Sequence, residues 1–147
     1  MPENIFMYQG IWTLVKSKIE SGIFAVNKEI YDELFLLPGT IGTCMQDNED
    51  KLLLEVGEDW NWQEYLDHVE RMRVQHKDVI SEYNKGRKGT VGLNDVSIVA
   101  LAKTLSLPLI SMKSISFQSS TTKVRIPGLC TLEQVEHLNF NQFLERQ

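Results

Sequence analysis

The sequence predicts an α/β fold, a mostly parallel sheet flanked by helices, in a single domain over residues 1–147. Three observations predict it. Short apolar runs alternate with amphipathic segments along the whole chain. Residues 92–113, GLNDVSIVALAKTLSLPLISMK, read as a loop, an acid-led helix and a buried strand, the order of an α/β unit with a parallel strand. Residues 62–83 carry the clearest helical stripe: Trp62, Tyr65, Leu66, Val69, Met72, His76, Val79, Ile80 and Tyr83. That stripe predicts one long helix packed on the sheet.

The elements follow in order. Ile11, Leu14, Val15, Lys18 and Ile19 share a helical face, and Gly22 can end that helix. Residues 23–26 form a candidate strand. Asn27 caps the next helix, because its side-chain oxygen can accept from a backbone N–H two or three residues on; Ile30, Tyr31 and Leu34 face inward. Pro38-Gly39 stops that helix, and residues 38–50 read as a loop. LLLEV, residues 52–56, suits strand and helix equally. After the long stripe, NKGRKGTVG is a flexible basic loop. Asn94 caps the following helix, and Asp95 sits in its first turn, where the helix dipole favours negative charge. Val96, Val99, Ala100 and Lys103 follow at helical spacing, with Ala102 and Leu105 widening the apolar side. Residues 107–112 are the buried strand, and SISFQSSTT after it is polar and mobile. KVRIP is extended, since the residue before a proline is steered away from helical backbone. Thr131 and Gln134 make the capping box of a short helix. Residues 137–139 form a last strand and residues 141–146 a terminal helical turn.

Length and charge narrow the functions. The chain has 147 residues, 42% of them hydrophobic, enough for the core of one domain. Its net charge of −5 excludes a generic polyanion binder, though a local basic patch is compatible with it. No run of 18 uninterrupted apolar residues predicts a membrane span, and MPENIF lacks the basic-then-apolar layout of a leader. A cytoplasmic protein without a membrane partner is the expectation. Cys44 and Cys130, few and far apart, predict thiols in a reducing compartment rather than a disulfide.

Candidate chemistry is sparse. His76 lies on an apolar stripe, where a hydrogen-bonded core histidine is more common than a ligand, and no zinc spacing is present. Trp12, Trp60, Trp62 and Tyr65 can stack on bases, but their spacing favours core packing. Lys85, Arg87 and Lys88 form a small basic loop able to touch phosphate, although a solvated loop is the simpler reading. The acidic stretch from Asp47 to Asp59 reads as a solvated face. No phosphate-binding glycine loop, Ser-His-Asp arrangement or CxxC is present, which removes most other enzyme classes.

Residues 92–113 resemble the second half of a PIN-like nuclease domain, in which an Asp opens a helix of the form D-x-x-I-x-A-L-A and a strand ends in Thr-x-Asp. Asp95, Ile98, Ala100, Leu101 and Ala102 match the helix; Ser111 stands for the Thr and Lys113 for the Asp. EIYDEL, residues 29–34, resembles the family's second acidic helix, with Glu33 at its Glu-Leu. The N-terminal 4–34 stretch and KVRIPGLC, residues 123–130, resemble a toxin-associated branch of the family.

The resemblance implies a Mg- or Mn-dependent ribonuclease, the toxin of a prokaryotic toxin–antitoxin pair, with RNA as substrate and an antitoxin as partner. Glu33 and Asp95 are then the catalytic, metal-holding acids, converging at one end of the sheet. As ordinary residues, Glu33 is a solvated helix acid and Asp95 a first-turn acid. Lys85, Arg87, Lys88 and Lys113 are weak candidates for nucleic-acid contact. The family holds its ion with three or four carboxylates, and two are missing here: the fourth is Lys113, and the first strand, with its Asp, is not found. Weak metal binding and little cleavage are therefore expected, and a catalytically inactive binding module or truncated remnant is the alternative. A sheet without its first strand would leave buried backbone groups unpaired, at about 1–3 kcal/mol each. Neighbouring strands pairing directly, or a strand from a second copy in a homodimer, would close the gap.

Overall fold

A computed structural model describes residues 6–111 and 125–147. The chain is a mixed α/β protein dominated by helices: α1 (Phe6–Glu20), α2 (Lys28–Phe35), α3 (Gly39–Asp47), α4 (Glu49–Leu52), α5 (Trp62–Gln75), α6 (Leu93–Leu105), β1 (Leu109–Ser111), α7 (Ile126–Leu132), β2 (His137–Asn139) and α8 (Phe140–Glu145). It divides into two compact units, the first ending at Glu58 and the second beginning at Asp59. Among the described residues no strand precedes α1, and the only sheet is the parallel pair β1–β2.

In the first unit, α1 packs on α3 and α4, with Ile19 as its buried anchor. Gly22, at φ +76°, ends α1, a backbone conformation glycine adopts without strain. The candidate strand at 23–26 is reduced to a single parallel bridge between Val26 and Leu53, because Leu52 is taken up by α4. Asn27 caps α2 as expected: its side chain accepts from the Ile30 N–H at 3.1 Å. The stretch 38–50 is not a loop but holds α3 and the first half of α4. Pro38 precedes α3 as its N-cap, and Gly42 packs so tightly that a Cβ there would lie 2.0 Å from the Leu37 carbonyl oxygen. Its glycine serves close approach rather than chain flexibility. Tyr31, Leu52 and Leu53 form the core, with Phe24, Val26 and Met45 against them.

In the second unit, α6 is the central element. Val96, Val99, Ala100 and Leu101 are fully buried, and α5 and α7 both pack on it. A helix apolar on most sides belongs in an interior. The helical stripe at 62–83 is shorter than its periodicity suggests. It stops at Gln75 and continues as 3-10 turns at Lys77–Val79 and Ser81–Tyr83, with Ile80 buried in a bridge to Val91. The helix packs on α6, which in turn meets β1.

The expected strand at 107–112 is Leu109–Ser111; Met112 and the polar SISFQSSTT lie outside the described residues. β1 pairs with β2 in the register Leu109↔His137, Ile110↔Leu138, Ser111↔Asn139. Two further expectations are corrected. Arg125 is extended, but Ile126 already opens α7 with Pro127 inside its first turn, where the missing N–H costs nothing. Thr131 is not a cap: its hydroxyl donates to the Pro127 carbonyl within α7, and Gln134 turns to φ +59° beyond the helix. β2 and α8 fall where the sequence puts them.

Candidate active site

The start of α6 holds two acids of the second unit, Glu82 and Asp95. Its N-cap is Gly92 rather than Asn94, which is exposed on the first turn. Asp95 stands at the third helical position, half-buried, and its Oδ2 accepts from the Gly92 N–H at 3.2 Å. From the preceding 3-10 turn, Glu82 reaches the same place: its two carboxylate oxygens accept from the Leu93 N–H at 3.1 and 2.9 Å. A Cβ on Gly92 would lie 3.8 Å from Asp95 Oδ2 and 3.8 Å from Glu82 Oε1, so both carboxylates border the space beside that glycine. The positive end of the helix favours negative charge there. After α6 a three-residue connection, Ser106 to Pro108, leads into β1.

Glu33 lies exposed on α2 in the first unit, and its backbone carbonyl accepts from the Leu36 N–H at 3.3 Å. No single unit contains both Glu33 and Asp95. Lys85, Arg87 and Lys88 are exposed on the loop between the second 3-10 turn and α6, where Arg87 donates to the Asp78 carbonyl at 3.0 Å. Lys113 lies outside the described residues. Tyr65 is buried and stacks at 5.5 Å on Trp60, while Trp12 and Trp62 are half-buried. Among the described residues no group of three or more His, Cys, Asp or Glu is placed to hold a metal ion. Glu82 and Asp95 nonetheless supply hard carboxylate oxygens side by side, the donor type that suits Mg²⁺ or Mn²⁺ with water completing the shell.

Glu133 is the electrostatic centre of the second unit, and nothing in the sequence singled it out. Its side chain is only 2% exposed and meets Arg71, His76 and Lys103. Arg71 donates twice, at 2.6 and 3.0 Å; His76 Nε2 lies 2.6 Å from Oε2; Lys103 Nζ lies 3.3 Å from Oε1 and also donates to the Glu133 carbonyl at 2.8 Å. Burial pushes the carboxyl up, but the hydrogen bonds from Arg71, His76 and Lys103 outweigh it and hold Glu133 down to about 2. His76 is thus a hydrogen-bonded interior histidine. Cys44 and Cys130 are free thiols; burial raises both, Cys130 to about 11, which makes them poor nucleophiles.

The family pattern described as a domain of unknown function (DUF4411) matches residues 4–147. No curated protein and no solved structure matches the chain.

Proposed function

The chain belongs to the DUF4411 family; on the resemblance of its own residues we propose that it is a PIN-like, metal-dependent ribonuclease whose acidic site is built around Asp95. One observation carries the reading. A half-buried carboxylate sits in the first turn of the second unit's central helix and accepts from the Gly92 N–H, while Glu82 accepts from the neighbouring Leu93 N–H. Asp95 and Glu82 would hold the ion. When bound, Mg²⁺ or Mn²⁺ lowers the pKa of a water and neutralises charge on the scissile phosphate. The rest falls to the chain itself. The Gly92 and Leu93 N–H groups fix the two carboxylates, and Lys85, Arg87 and Lys88 supply cations for the RNA backbone. The toxin role, with an antitoxin as partner, belongs to the same reading.

The test is cleavage of a labelled single-stranded RNA by the purified chain in millimolar Mn²⁺, with calorimetric titration of the metal. Slow Mn²⁺-dependent cleavage is expected. Asp95→Asn keeps an acceptor for the Gly92 N–H and so keeps the fold, but it abolishes cleavage; Glu82→Gln weakens metal binding. Cleavage that survives Asp95→Asn, or a folded chain inert towards RNA at every Mn²⁺ concentration, overturns the reading.

A further inference from the structure

At the C-terminal end of β1 stands a pair that the acidic site does not use. Residues alternate across a strand, so Leu109 and Ser111 share a face with their register neighbours His137 and Asn139. Across that face the Ser111 hydroxyl oxygen lies 2.7 Å from His137 Nε2. This is the separation of a nucleophile and its base in covalent catalysis. Both side chains are half-buried, so the pair is partly withdrawn from bulk water. Backbone pairing at both strands, together with the Leu109 N–H donating to the Glu136 carbonyl at 2.9 Å, fixes the separation.

We propose that Ser111 and His137 form a nucleophile–base pair that takes an acyl or phosphonyl group from an activated ester onto the serine oxygen. The step balances within the pair and its substrate. The Ser111 oxygen bonds to the electrophilic carbon or phosphorus, and its proton passes to His137 Nε2. The bond to the leaving group breaks with its electron pair, and the leaving group collects the proton as it departs. Burial supports this role by pushing the His137 ring below the ordinary histidine range, so the imidazole is neutral near pH 7. The tautomer protonated at Nδ1 then offers Nε2 as acceptor to the hydroxyl. No metal enters this step, so the pair stands or falls apart from the ribonuclease reading.

A fluorophosphonate reporter incubated with the full chain in the presence of EDTA tests it by intact mass and peptide mapping. One adduct on Ser111 is expected, with fluoride lost. It is absent in Ser111→Ala and forms about 100-fold more slowly in His137→Gln, the scale of a general base. A second variant guards against misfolding. Ser111→Cys places a thiol beside the same imidazole, and iodoacetamide should alkylate it at pH 7 ahead of Cys44 and Cys130, whose thiols burial holds protonated. Adding His137→Gln removes that advantage. A folded chain that gives no adduct at Ser111, labelling that ignores His137→Gln, or a Ser111→Cys thiol no faster than Cys44 overturns the proposal.

Discussion

Replacing Glu133 by alanine should destabilise the second unit by about 3 kcal/mol at pH 7. Removing one partner of a buried ion pair costs about 3–5 kcal/mol, because the remaining charge is left unpaired in a poorly hydrated place. Here the strain on the partners is partly relieved. The Arg71 side chain is 39% exposed and that of Lys103 30%, so both can turn to water. These exposures argue for the lower end of the range. The titration of Glu133 gives a second route. Its carboxyl is held at about 2, against an ordinary value of 4.5; at 1.36 kcal/mol per pH unit the difference of about 2.5 is worth roughly 3 kcal/mol. The sign follows from the direction. A carboxyl depressed on folding contributes fully above its unfolded value near 4.5 and loses that contribution as the pH falls towards 2. Urea unfolding followed by circular dichroism at pH 7 and at pH 2.5 reads both. With a slope of about 1–3 kcal/mol per molar urea, the midpoint at pH 7 should fall by about 1–3 M. The gap between wild type and Glu133→Ala should narrow sharply at pH 2.5. A loss below about 1 kcal/mol at pH 7, or one of equal size at both pH values, would refute the electrostatic account.

Three further outcomes are open to simple measurement. Asn27→Ala should cost about 1 kcal/mol in thermal or urea unfolding, because the buried cap loses its bond to the Ile30 N–H, while Asn27→Asp should be nearly neutral. Gly42→Ala should be the more damaging change despite its smaller chemistry, at about 2 kcal/mol or more, since its Cβ would sit 2.0 Å from a backbone oxygen that cannot rotate away; unaltered stability would show that α3 does not pack as described. Cys130, buried with its thiol raised to about 11, should react with Ellman's reagent at pH 8 only at the rate of unfolding, whereas rapid reaction in the native state would contradict its burial.

What the sequence made legible is local. Asn27 capping α2, Asp95 in the first turn of α6, and the Asn139–Gln142 start of α8 each depend on side chains within four residues, which spacing alone can reveal. Where the reading failed, a distant partner decided. Pro38-Gly39 looked like the end of a helix followed by a loop, yet Gly42 is small because α3 folds back against Leu37. The stripe at 62–83 looked like one helix, yet at His76 the chain departs from helical backbone (φ −105°, ψ 23°) and the ring meets a carboxylate 57 residues away. Glu82 joins Asp95 only because a bridge between Ile80 and Val91 folds the intervening loop onto the start of α6. No motif marks that meeting, so the site read from sequence held Asp95 without its neighbour.

The Glu133 cluster bears on how long the folded chain lasts as well as on how stable it is. Its carboxylate meets Lys103, His76 and Arg71 from 30, 57 and 62 residues away, so the cluster closes only after α5, α6 and α7 have come together. Contacts completed after the rate-limiting step of folding leave the folding rate nearly unchanged and slow the escape from the native state. By that reasoning about 3 kcal/mol lodged in a late contact lengthens the native lifetime by roughly a hundredfold. Glu133 then acts as a latch on unfolding, and its loss would be felt first as a shorter-lived protein rather than a slower-folding one.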